Sequence, residues 1–93
     1  MRIRWFQRAS LDTAQIQAYI AETDPGSAAV VADRILTAVE RLISFPHLGR
    51  LGQVEGTREL VVSRTPYLVV YRVNSDVIEI LRVLHGAQRW PDS

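Results

Sequence analysis

Along this chain the spacing of apolar positions changes several times, and each change marks an element. Residues Arg2 to Phe6 alternate charged and apolar side chains, the period of a short strand. From Ala9 to about Thr23 the period becomes helical, with Ala9, Thr13, Ile16 and Ile20 recurring at intervals of three and four. Asp24-Pro25 then reads as a helix N-cap followed by proline in the first turn. A second helix is expected from Pro25 or Gly26 to about Ser44, stopped by Pro46. Its buried stripe is Val31, Ile35, Ala38, Val39 and Leu42, with Arg34 and Arg41 outside it. His47 to Thr57 carries Gly49, Gly52 and Gly56 without any period and is expected to be a loop. Three β-like runs follow: Arg58 to Ser63, Tyr67 to Val73 and Val77 to Leu84. The connections Arg64-Thr65-Pro66 and Asn74-Ser75-Asp76 are short enough for hairpins, so neighbouring strands must be antiparallel.

The order strand, two helices, three-stranded antiparallel meander predicts a small α+β domain, with a helical hairpin on one face of a twisted sheet. The helices can cover only that face. Strand alternation puts Val61, Leu68 and Val70 on the other, where the sequence offers no obvious cover. Apolar sheet surface of this kind usually marks a partner site; a C-terminal tail or a second copy of the chain is the alternative cover.

Composition narrows the class. The chain has 93 residues, enough for a single domain spanning 1–93, and 47% of them are apolar. It has no cysteine, which excludes disulfides and thiolate metal sites, and its two histidines are too far apart for metal-ligand spacing, so no metal or cofactor is expected. No apolar signal core or spanning segment is present in the sequence, which predicts a cytoplasmic protein with no membrane partner. The net charge is +1, and every basic residue is an arginine. A GC-rich genome is the simplest cause. Any mechanism that needs a lysine to give or take a proton is nevertheless closed, because arginine does not release its proton near neutral pH.

Several stretches resemble the ParE/RelE superfamily of toxins from type II toxin–antitoxin systems. They are Ala9, Asp12, Ile16, Tyr19 and Ile20 in the first helix, the helix end Leu42-Ile43-Ser44-Phe45-Pro46 and the segment Gly56-Thr57-Arg58-Glu59-Leu60. The strand Tyr67-Leu68-Val69-Val70-Tyr71-Arg72-Val73 and the closing Ile80 to Trp90 segment complete the set. Each alone is weak; their order and spacing together are specific. The resemblance implies the RelE/ParE-like fold and a growth-arresting toxin silenced by a cognate antitoxin of the ParD/RelB kind. That antitoxin would wrap the toxin with a helix and an extended segment, and DNA would be reached only indirectly, through it.

The superfamily divides by target. RelE-like members resemble ribonucleases that cut messenger RNA on the ribosome, and ParE-like members resemble gyrase poisons without chemistry of their own. RNA cleavage needs an acid, a base and positive charge on the scissile phosphate. Carried onto this sequence, the RelE-like lysine positions fall on or near Glu59 and Val61, the second-strand arginine falls on Leu68, and the tyrosine's neighbourhood holds Trp90. A carboxylate and two aliphatics cannot neutralise that charge. The closing His85 to Pro91 segment and Gly56 to Leu60 lie closer to ParE-like chains, which implies DNA gyrase as the target. On that reading the candidate target contacts are Arg58, Arg64, Arg72, Arg82, His85, Arg89 and Trp90, and the candidate antitoxin contacts are Val61, Leu68, Val70 and Arg72. If the protein is instead an endoribonuclease, Arg82, His85 and Arg89 are the candidate catalytic residues. A third reading is an inactive toxin that serves only in an autoregulatory repressor complex.

Structural roles compete at most of these positions. Arg58 could pair with Glu59 or Asp12, Glu79 could serve Arg72 or Arg82 across strands, and His85 could close its own turn. Trp90 could fold back onto the core, which is also the expected place of Trp5 and Phe6, while His47 is expected at the surface.

Overall fold

A computed structural model of the chain describes residues 1–88, 90 and 91. The elements are β1 (Arg2–Trp5), α1 (Gln7–Ala21), α2 (Pro25–Ser44), β2 (Arg50–Leu51), β3 (Arg58–Val61), β4 (Tyr67–Asn74) and β5 (Val77–His85). The α+β order expected from the sequence is present. The sheet, however, has five strands in the order β1-β5-β4-β3-β2. β1 lies parallel to β5, and the expected glycine loop contributes β2, which pairs antiparallel with β3. Two residues of β2 are too few to show a period in the sequence.

α2 begins as its sequence dictates. Asp24 accepts the Ser27 amide at 3.1 Å and the Ser27 hydroxyl at 2.6 Å, and Pro25 occupies the first turn. These hydrogen bonds, the hydroxyl's above all, hold the Asp24 carboxyl below its ordinary range. α1 starts at Gln7, two residues earlier than the apolar period suggests, with Phe6 as an N-cap that makes no side-chain bond.

The core lies between the helices and one sheet face, built from Ala9, Ile35, Val39, Leu42, Val69, Tyr71, Ile78, Ile80 and Val83, with Trp5 packed against it. A register shift interrupts the β4–β5 ladder: Tyr71 pairs with Ile80 but Val70 pairs with Arg82, so Leu81 is an extra residue on β5. Such a bulge re-aims side chains. Here it changes the alternation, so that Val83 follows Ile78 and Ile80 into the core.

The loop before β3 is fixed from inside. The buried Tyr71 hydroxyl donates to the Pro46 carbonyl at 2.9 Å and accepts the Gly49 amide at 2.8 Å. Burial raises the pKa of this phenol, with the Gly49 bond and Arg58 opposing. Gly49 is required by the close approach: a Cβ there would lie 2.8 Å from the Tyr71 ring and 2.9 Å from the Glu59 carbonyl oxygen.

The second sheet face differs from its expectation. Val61 is 56% exposed and Leu68 half-buried, but Val70 is fully buried and so does not lie on an open face. Val70 sits on a strand paired on both sides, and the C-terminal segment returns nearby. Trp90 and Pro91 line a depression of about 540 Å³ with Leu68, Leu84, Glu59 and Arg50. Trp90 and Pro91 therefore lie near Leu68 and Leu84. No helix among the described residues is long and apolar enough to cross a membrane.

Candidate functional site

Among the described candidate arginines, Arg82 is largely buried, with a side chain 16% exposed. β1 accompanies β5 only as far as the pair Trp5–Ile80, after which the Phe6 amide donates to the Ile80 carbonyl and the chain turns into α1. The edge of β5 beyond this point has no strand beside it. Asp12 of α1 fills the gap: one carboxylate oxygen accepts the Val83 amide at 3.0 Å and Arg82 Nε at 2.7 Å, and the other accepts Arg82 Nη2 at 3.1 Å. Arg8 stands 3.8 Å from the same carboxylate. The Asp12 and Arg82 side chains are only 7% and 16% exposed. This is a bidentate, largely desolvated pair between residues at opposite ends of the chain.

The sequence reading missed that partnership, although it had a signal. Asp12 falls on the apolar stripe of α1 between Ala9 and Ile16, and a carboxylate on a core-facing stripe requires a partner there.

His85 ends β5 and is exposed. Its Nδ1 accepts the Ala87 amide at 3.0 Å, its own amide donates to Gln88 Oε1 at 2.7 Å, and its ring meets Tyr67 edge-on at 5.7 Å between centroids. The proton of the neutral imidazole is therefore placed on Nε2, and the side chain closes the turn that follows it. Arg82 and His85 do line one depression of about 430 Å³, together with Tyr19, Tyr67 and Gln88. Arg89, the remaining candidate for a catalytic group, lies outside the described residues.

The other candidates separate. Arg72 donates to the buried Glu79 at 2.6 Å, with Arg4 at 3.8 Å from the same carboxylate, and both guanidiniums lie over the Phe6 ring at 5.6 and 5.1 Å. The Arg72 hydrogen bond is the main cause of a Glu79 pKa below the usual carboxylate range. Arg58 pairs with neither Glu59 nor Asp12. It donates to the Gly49 carbonyl at 2.8 Å and to that of the exposed His47 at 3.3 Å, bracing the loop. Glu59 is held instead by Arg50 at 3.2 Å. Arg64 is exposed, at a positive φ of 62°, and its carbonyl accepts Arg34 Nη1 at 3.2 Å. Trp90 is half-buried. Among the described residues, no three His, Cys, Asp or Glu side chains come together as a metal site.

With this geometry in hand, similarity to known proteins is informative. Residues 3–90 match the family described as the ParE toxin of the type II toxin–antitoxin system parDE. Y4kP of Sinorhizobium fredii, described as a candidate toxin, is 49% identical over 90 residues, covering 97% of this chain and 93% of that one. Toxin RelE2 of Caulobacter vibrioides is 36% identical over 87 residues, covering 94% and 97%. Among solved structures, a chain of a chromosomal ParDE toxin–antitoxin system from P. aeruginosa aligns with a TM-score of 0.81 at 28% identity, covering 91% of this chain and 95% of that one. A chain of the toxin–antitoxin complex RelBE2 from Mycobacterium tuberculosis shares the fold, with a TM-score of 0.61 at 23% identity and coverage of 90% and 95%. The relatives' names come from both branches of the superfamily, so the target must be argued from residues.

Proposed function

The chain belongs to the ParE toxin family of type II toxin–antitoxin systems, within the wider ParE/RelE superfamily, and on that premise we propose that it arrests growth by binding DNA gyrase. A cognate antitoxin of the ParD/RelB kind silences it by direct contact, a partner supported by the toxin–antitoxin systems in which its structural neighbours were solved.

One observation carries the choice of binding over catalysis. The positions where a RelE-like ribonuclease would gather positive charge hold Glu59 paired with Arg50, an exposed Val61 and a half-buried Leu68. Those three side chains are a carboxylate neutralised by Arg50 and two aliphatics, so none of them supplies the cation that the developing charge requires. Arg82 supports the same reading, since its guanidinium is engaged by Asp12. Target contact is assigned to the C-terminal Arg89 and Trp90.

The test is a DNA-cleavage assay with purified gyrase and antitoxin-free protein. Accumulation of cleaved, gyrase-linked DNA is expected. An unaffected gyrase alongside messages cut on programmed ribosomes would overturn the proposal. The ribonuclease alternative keeps one favourable observation, the depression shared by Arg82 and His85. His85→Ala separates the two: loss of a general acid or base costs ~10²–10⁴-fold, whereas a turn-closing role leaves toxicity within about tenfold of the parent.

A further inference from the structure

The strands β1, β4 and β5 carry four arginines, Arg2, Arg4, Arg72 and Arg82, against one carboxylate, Glu79, in a chain whose net charge is only +1. Arg82 is engaged from α1 by Asp12. The other three gather on the sheet face away from the helices, because Glu79 lies between the core residues Ile78 and Ile80 and so points the other way. Arg4, Glu79 and Arg72 form one cross-strand row, and Arg2, Val77 and Asn74 form the row two residues away. Along β1 the backbone positions of the two arginines are about 7 Å apart, and Arg72 lies two strands, about 10 Å, across the sheet.

Glu79 fixes this cluster from below. Its side chain is only 6% exposed, accepts Arg72 Nε at 2.6 Å and faces Arg4 Nη1 at 3.8 Å, with Asn74 as a further donor. The half-buried Phe6 ring backs both guanidiniums. Their outer sides stay in water: the Arg4 and Arg72 side chains are 69% and 45% exposed, and Arg2 is exposed too. Planar cations already held in place lose less rotamer freedom when they meet an anion. β1 is an edge strand, where any charge would deter strand addition; two guanidiniums anchored on one buried carboxylate exceed that need. Arg2, Arg4, Asn74 and Ser75 frame a depression of about 590 Å³, whose apolar members Ile3 and Val77 are themselves half-buried. The exposed Asp76 stands in the adjoining turn, where its carbonyl accepts the Arg2 amide at 2.9 Å.

We infer that this face binds the phosphate backbone of duplex DNA directly, with Arg2, Arg4 and Arg72 each set against a phosphate. A protein partner would need an exposed apolar centre to bury, whereas a polar surface rich in positive charge is the kind that meets DNA. Single strands are gripped by bases stacked on open aromatic rings, and the Phe6 ring is already covered by Arg4 and Arg72. The inference rests on the gyrase reading above, since gyrase acts on duplex DNA, and adds a contact with the DNA itself that the resemblance did not imply. Arg2 and Arg4 enter the functional surface in this way, beside Arg72.

The experiment is fluorescence anisotropy with the antitoxin-free full chain and a labelled DNA duplex of about two helical turns, repeated over a series of salt concentrations. Three phosphate contacts give a slope of log K against log salt of about −2.7, at about 0.9 per contact. Arg2→Ala/Arg4→Ala reduces that slope by about 1.8 and weakens binding at low salt by roughly tenfold or more. Arg2→Lys/Arg4→Lys keeps the charge and most of the affinity, and Arg41→Ala, on α2, leaves slope and affinity as in the parent. All of these variants unfold in urea with the parent, because the substituted side chains are exposed. No binding by the parent, equal slopes in the parent and the double-alanine variant, an equal loss in Arg41→Ala, or tighter binding to an RNA duplex of the same length would each overturn the assignment. The gyrase cleavage assay is read separately. A parent that poisons gyrase without binding duplex through these arginines removes this face and leaves the gyrase reading standing. Duplex binding through them with gyrase untouched removes the gyrase reading alone.

Discussion

Cutting the link between Asp12 and Arg82 gives the sharpest test of how this domain is held together. Asp12→Ala removes three accepted hydrogen bonds, taking the shared carboxylate away from the Val83 amide and from a guanidinium that is only 16% exposed. Breaking a buried pair from one side costs about 3–5 kcal/mol, because the remaining charge stays desolvated. Arg82 keeps some contact with water, so the lower end applies, about 3 kcal/mol. A domain of this size has a total stability of roughly 5–15 kcal/mol. With a urea slope of ~1 kcal/mol per molar, the midpoint should fall by about 3 M; at ~4–8 °C per kcal/mol, the melting temperature should fall by roughly 12–24 °C. The double variant Asp12→Leu/Arg82→Met is expected to recover all but about 1 kcal/mol of this, since apolar replacement of both partners strands neither. Urea unfolding followed by tryptophan fluorescence measures both. A cost below ~1 kcal/mol for Asp12→Ala would mean the pair behaves as an exposed one and would refute the argument. The same double variant bears on function: if Arg82 is structural, restored folding should restore toxicity, and a folded but harmless double variant would return Arg82 to the target surface.

Other consequences can be checked with the same methods. Tyr71→Phe strands the Gly49 amide and the Pro46 carbonyl and should cost ~1–3 kcal/mol, with faster amide exchange at Gly49 as its local signature. Glu79 has a folded pKa depressed from an ordinary value near 4.5, chiefly by its Arg72 bond. Its contribution is therefore complete above that ordinary value and is lost as pH falls through the folded pKa; Glu79→Gln should flatten the acid limb of the stability curve, and an unchanged limb would assign it to other carboxylates. Gly49→Ala should destabilise the loop, because its Cβ would collide with the Tyr71 ring and the Glu59 carbonyl; unaltered urea unfolding would show that the loop yields.

The legible part of the candidate site was its local chemistry. A cross-strand role for Glu79 was legible from the adjacent strands, with Arg72 and Arg82 both open as its partner, and the role of His85 in closing its own turn was among the readings weighed for it. Arg58 was misread because its partners are the carbonyls of His47 and Gly49, and a backbone carbonyl has no sequence signature. Val70 was misplaced because strand alternation reports which face a residue occupies but not how far the rest of the fold covers it.

The sequence by itself determined the two helices, the Asp24 cap and the antiparallel order of the last three strands, since periodicity, capping and turn length act over a few neighbouring residues. Only the tertiary structure decided that β1 joins the sheet parallel to β5, that Asp12 takes the place of a missing strand at Val83, and that Leu81 is bulged. It also decided that Arg2, Arg4 and Arg72 gather on one sheet face around Glu79. Each of these depends on which strand ends where against which neighbour. That geometry is set by packing between segments distant in the chain, and no short stretch of sequence encodes it.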